Sequence, residues 1–316
     1  MDIIDIINNI CKFVSINDIY NISLINNKYL QSFHNMKYIW FKNVNTNILQ
    51  FFLKQPENLL NVATYIKSLH ISYVENLNDN IVKQFTNLKI LLIDKQYSSL
   101  ITSKCIKMLT SLTKLEVCGD KYFNAFKKLT NLKFLKIHRG FKIKDKYISR
   151  LSNLIQLSCK NTQITCNGIK YCTKLQHLEM NGYISDEGII PLTNLKSLLI
   201  NFCITDNVIT KLTNLTYLNV KFADIDDNSS YYVKRPILNN NNITLVSLQQ
   251  LPQLVNITID WTQVSLITLP HLKYINIVFS ECPFASQLEI LESLRKAGLI
   301  VVKTCKDSST VYYQKY

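Results

Sequence analysis

A six-residue pattern, apolar-x-x-apolar-x-apolar, returns along this chain at intervals of about 20 residues, and that period leaves few ways to fold. Its first positions are Ile66, Leu88, Leu112, Leu132, Leu154, Leu175, Leu195, Leu215, Leu254 and Leu272. Three residues before them stands a second apolar column: Phe85, Leu109, Leu129, Leu151, Cys172, Leu192, Leu212, Leu251 and Leu269, so Cys172 takes the place of a core Leu. The gap from Leu215 to Leu254 is about two periods. After the pattern comes an apolar residue followed by a helix-capping type, as in Leu77-Asn78, Ile164-Thr165, Ile184-Ser185 and Ile204-Thr205. Asp186 and Asp206 follow in the first helical turn, where a carboxylate faces the positive end of the helix. Each unit therefore reads as a strand, a bend and a short helix. A unit of this length cannot bury its apolar face alone, so neighbours must stack.

These residues carry a resemblance. The segment LTNLKSLLINFCITDNVITKL resembles a leucine-rich repeat of the cysteine-containing kind found in F-box proteins, and the likeness extends over residues 66 to 277. It implies an α/β fold: a leucine-rich-repeat solenoid with a parallel concave sheet and short convex helices, about ten repeats over residues 66–302. The Asn-rich stretch 228–243 reads as an exposed insertion loop. QLEILESLRKAG reads as a helix stopped at Gly298, LIVVKT as an edge strand, and residues 303–316 as a C-terminal tail.

Residues 1–45 lack the repeat. Ile3, Ile6, Ile7 and Ile10 fall on one helical face, Ser15-x-x-Asp18 is a capping signal, and Ile16, Ile19 and Leu24 begin another apolar face. The string IINNICKFVSINDIYNISLINNKYLQSF, followed by Tyr38-Ile39-Trp40, resembles an F-box. Ile16, Asp18, Ile19, Ser23, Leu24, Ile25, Tyr29, Ile39 and Trp40 fill the family's positions; the usual Leu-Pro opening is missing, and Asn26-Asn27 stand where Ser-Lys would be. The resemblance implies a small all-α domain that binds the adaptor subunit of a cullin-RING ubiquitin ligase while the repeats hold a target protein. On that reading Ile3, Ile6, Ile7, Ile10, Ile16, Ile19, Leu24, Tyr29 and Trp40 supply either the adaptor contact or the domain's own core. A plain helical cap on the solenoid is the alternative. A membrane-surface helix is disfavoured, because Asp2 and Asp5 outnumber Lys12. Residues 46–65 read as a connecting helix interrupted at Pro56.

Composition narrows the chemistry. Six Gly in 316 residues, none spaced as GxGxxG or GxxxxGK, leave no phosphate-cradling loop. Nine Cys lack CxxC or other metal-type spacing, the amino terminus is acidic where a secretory signal would be basic, and no apolar run reaches the ~18 residues of a membrane span. An intracellular setting, cytoplasmic or nuclear, is expected, with no membrane, cofactor, metal site or catalytic residue. Lys plus Arg is 36 against 22 Asp plus Glu, a formal balance of +14. Only Arg139, Arg150, Arg235 and Arg295 are Arg, the residue whose planar fork reads phosphates and base edges, which argues against a nucleic-acid partner.

In parallel strands of this pattern the third, fifth and seventh positions face away from the Leu core. That concave face carries the expected target-binding residues: Phe134, Lys136, His138, His177, Tyr217 and Tyr274, joined by Trp261 just after the ninth strand. Aromatics dominate interface hot spots, and ten strands spaced ~4.8 Å apart give a surface ~48 Å long, suited to a protein partner. Asp94, Cys118 and His138 share the seventh position, but Cys118 lies between the carboxylate and the imidazole, the wrong order for a catalytic triad. Residues 120–150 concentrate basic charge, readable as a docking patch for an acidic partner or for phosphates, or as a solvated outer face. The chain is thus expected to be a substrate-recognition subunit of an F-box type ubiquitin ligase, with a free-standing protein-binding scaffold as the alternative; neither is an enzyme.

Overall fold

The computed structural model describes residues 67–71, 78–93, 101–160, 162–180, 184–200, 204–220, 243–260, 272–278, 289, 292, 299–304 and 310–315. The F-box-like segment 1–45, the connecting segment 46–65, Trp261 and all of the insertion 228–243 except Ile243 lie outside the described residues. The chain divides into two compact units, Met1–Lys142 and Ile143–Tyr316.

In the first unit the order is β1 (Ser68–Ile71), α1 (Asp79–Val82), β2 (Ile90–Ile93), α2 (Ser103–Met108), β3 (Lys114–Cys118), a 3-10 turn (Asp120–Tyr122), α3 (Phe123–Phe126) and β4 (Phe134–His138). The strands are parallel and in register, so Leu69, Leu91, Leu115 and Leu135 form one file with none more than 1 % exposed. The column ahead of the strands, Phe85, Leu109 and Leu129, is equally buried. Two apolar files per repeat thus close the interior. Gly119 opens the turn after β3 at φ +83°, a left-handed backbone that a side chain would strain.

The second unit repeats the scheme: α4 (Asp145–Ile148), β5 (Gln156–Cys159), α5 (Cys166–Ile169), β6 (His177–Met180), α6 (Asp186–Ile189), β7 (Ser197–Ile200), α7 (Asp206–Ile209), β8 (Tyr217–Val220), α8 (Leu245–Gln249), β9 (Asn256–Asp260) and β10 (Tyr274–Val278). Leu157, Leu178, Leu198, Leu218 and Ile257 make its central file, none above 3 % exposed. Cys159 and Cys172 stand in these columns as fully buried apolar residues.

β8 and β9, on the two sides of the 39-residue gap, pair directly. One expectation needs correction. The presumed tail contains a strand: β12 (Thr310–Lys315) lies antiparallel between β10 and the terminal strand β11 (Leu299–Thr304). Thr310-Val311-Tyr312-Tyr313 are residue types that favour extended backbone, so they continue the sheet.

The first-turn aspartates do more than complement the helix dipole. Each reaches the helix of the following repeat and accepts from the N-cap there. Asp145 takes the Thr165 N–H and hydroxyl at 2.6 Å each. Asp79 does the same with Thr102, Asp186 with Thr205 (N–H at 3.1 Å) and Asp206 with Thr244 (2.7 and 2.8 Å). The Thr205 and Thr165 hydroxyls in turn accept from the N–H two residues into their own helices. The Asp206 clamp spans the insertion and joins α7 to α8. At α5 the clamp residue is Cys166, whose thiol accepts the Ser185 N–H at 3.1 Å and lies 3.0 Å from its hydroxyl. Gly188 permits this approach, since a Cβ there would sit 2.7 Å from the Cys166 Cα.

Sulfur accepts weakly, whereas a carboxylate makes charge-assisted bonds. Cys166→Asp is therefore expected to stabilise the second unit by about 1 kcal/mol, read as a higher urea midpoint at unchanged slope. Acid should act in the opposite sense. Desolvation pushes the Asp206 carboxyl up, but bonds from Ser247 and Thr244 outweigh it and hold the group below its ordinary value. Its contribution is present above the unfolded carboxylate range and fades as pH falls through the lowered folded value. Stability should hold from neutrality to about pH 4 and decline below it, and Asp206→Asn should flatten that decline.

Candidate functional site

Side chains alternate along each strand, so the face opposite the Leu files is set by the third and fifth pattern positions. In the first unit these are Ser68 and His70, Ile90 and Leu92, Lys114 and Glu116, and Phe134 and Lys136, with Cys118 and His138 one row further. Phe134 is 37 % exposed, a large ring left uncovered beside Lys114. Glu116 is the electrostatic centre of this face. Its Oε1 lies 3.2 Å from Lys136 Nζ and 2.9 Å from His138 Nε2. Partial burial raises its pKa, but the bonds to His138 and Lys136 more than offset this, and the carboxyl titrates below its ordinary range.

His138 therefore turns to Glu116 and not to Cys118, its partner in the strand register. Asp94 lies outside the described residues, and no group of three or more His, Cys, Asp or Glu able to hold a metal occurs among those described. The thiols separate by burial: desolvation pushes Cys105, Cys159 and Cys172 up to about 12, while Cys118 is half-buried on the strand face. Mild alkylation should label Cys118 before those three, and peptide mass mapping of a time course reads the order.

In the second unit the face reads Gln156 and Ser158, His177 and Glu179, Ser197 and Leu199, Tyr217 and Asn219, Asn256 and Thr258, and then Tyr274. Glu179 accepts from the Ser158 hydroxyl at 2.6 Å and pairs with Lys160 at 2.8 Å. Ser158, Asn219 and Thr258 are buried although the pattern aims them outward. Tyr217 and Tyr274 bracket Asn256 across three adjacent strands, and Tyr274 is 46 % exposed. The Asn219 amide donates to the Tyr217 hydroxyl at 3.2 Å, while its own Oδ1 and that of Asn256 have no partner.

Of the expected target residues, Phe134, Lys136 and His138 share one face of β4 in the first unit; His177, Tyr217 and Tyr274 lie on β6, β8 and β10 of the second. The expected adaptor residues Ile3, Ile6, Ile7, Ile10, Ile16, Ile19, Leu24, Tyr29 and Trp40 lie outside the described residues. Glu116 and Glu179 escaped selection because a carboxylate on such a face looks like any solvated charge; the basic residue one strand away was the available signal. Among the described residues no helix is long and apolar enough to cross a membrane.

No family model and no curated protein matches the chain. Among solved structures it is similar to an internalin, inlF, of Listeria monocytogenes, at 18 % identity and a TM-score of 0.46 over 71 % of this chain and 70 % of that one. It is also similar to internalin C2 of the same bacterium (20 % identity, TM-score 0.41, 59 % and 80 % covered) and to a TDR receptor (16 %, 0.45, 72 % and 40 %). The register of the Leu files and the strand-bend-helix repeat make the fold leucine-rich-repeat in their own right.

Proposed function

We propose that the chain is a recruiting subunit: its strand faces hold a target protein, and its N-terminal segment docks on the adaptor of a cullin-RING ubiquitin ligase. The observation that carries the first half is an uncovered aromatic on the strand face of each unit, Phe134 in the first and Tyr274 in the second, with bridged ion pairs, each face standing on an interior already closed by its own Leu files. Those rings are not needed for the core, so they are available to a partner. The second half is supported by the F-box-like residues Ile16, Asp18, Ile19, Leu24 and Trp40. On this reading the protein does no chemistry itself. Its effect is proximity, replacing a bimolecular encounter by a high effective concentration of target near the conjugating enzyme, in the cytoplasm or nucleus.

The test is co-purification of adaptor and cullin with the full chain from host lysate. Ile6→Glu with Ile10→Glu should abolish it, since each places an unpaired charge in an apolar contact, while target capture persists. A wild-type chain that captures a target but brings down no adaptor would leave the free-standing scaffold as the function.

A further inference from the structure

The described residues of the first unit are one-sidedly basic. Thirteen Lys and Arg stand against three carboxylates, Asp79, Glu116 and Asp120, whereas the described residues of the second unit hold eleven against eight. The three carboxylates are already engaged: Asp79 by Thr102, Asp120 by the Lys142 N–H at 2.7 Å, and Glu116 by Lys136 and His138. On the strand face this charge meets apolar surface. Lys114 is exposed and stands in register between half-buried Ile90 and the uncovered Phe134, with Leu92 in the next row. Lys89 and Lys133, both exposed, sit immediately before β2 and β4. A face built only for solubility would not interleave ammonium groups with an open Phe and two half-covered aliphatics.

Resting on the protein-binding reading above, we infer that the first unit's strand face docks an acidic, extended segment of a partner protein. Its carboxylates meet Lys89, Lys114 and Lys133, and its apolar side chains cover Ile90, Leu92 and Phe134. Charge complementarity sets the sign of the partner, and the apolar rows set its class. A nucleic acid would need stacking rings and guanidinium forks; Phe134 is the one aromatic among the described strand residues on this face, and its cations are lysines. Glu116, tied by two basic neighbours, does not repel the segment.

The full chain is titrated by fluorescence anisotropy with three labelled probes: a peptide of alternating Glu and Leu, its Lys and Leu counterpart, and an oligothymidine. The Glu peptide is expected to bind best and to weaken about tenfold as salt rises from ~50 to ~200 mM. Lys114→Glu with Lys133→Glu should weaken it tenfold or more, and Phe134→Ser several-fold. Lys127→Glu with Lys128→Glu, the same charge change beside α3, should shift it less than about threefold. Equal loss from the two double reversals, equal binding of the Lys peptide, or tighter binding of oligothymidine overturns the inference. Native target capture separates the two ideas. If capture survives the Lys114 and Lys133 reversal but is lost with His177→Glu and Tyr274→Ser, the inference fails and the recruiting function stands. If neither set affects capture, the strand faces are not the target surface and both fail.

Discussion

Leu178→Ala is expected to cost the second unit ~2 to 5 kcal/mol. Leu178 lies in the middle of the file between Leu157 and Leu198 and is 1 % exposed. Truncation removes buried methyl groups and leaves a cavity whose walls cannot collapse, because the strands on both sides are pinned by ladder hydrogen bonds. Urea unfolding followed by circular dichroism measures the loss, with Met108→Ala, at a side chain 71 % exposed, as a control expected within about 0.5 kcal/mol of wild type. A Leu178 variant as stable as that control would show that the repeat register is wrong.

Asp186→Ala is expected to cost about 2 to 3 kcal/mol. The carboxylate is the acceptor for both the N–H and the hydroxyl of Thr205, and its removal leaves a part-buried backbone donor with no replacement. The loss should exceed that of Thr205→Ala, which removes the hydroxyl but leaves the N–H bonded to Asp186. A double-mutant cycle between the two positions should return a coupling of about 1 kcal/mol or more. Additive losses would mean that the carboxylate acts only on its own helix.

The strand register was legible because period and burial coincide: Leu88, Leu91 and Ile93 can be inward only together, and stacking makes every copy choose the same side. The strand-face residues followed by alternation. The aspartate clamps did not, since Asp after an N-cap Thr already has a sufficient local explanation in the helix dipole, and its real partner lies about 20 residues away. The contact of His138 was hidden for a related reason: the strand register sets it beside Cys118, but side-chain length lets it reach diagonally to Glu116. The β12 strand was missed because Thr310-Val311-Tyr312-Tyr313 is too short to show a period and carries none of the repeat's leucines.

The substitution of sulfur for carboxylate at Cys166 has a consequence for how the second unit comes apart. In a stacked array cooperativity is the product of its junctions, each repeat feeling only its neighbours. Carboxylate junctions at Asp145, Asp186 and Asp206 couple their repeats strongly, while the thiol between α5 and α6 couples weakly. Thermal opening that begins at one side of that joint has less energetic reason to cross it. The unit should breathe as two blocks, one ending at α5 and the other beginning at α6, each able to open while its neighbour keeps its shape.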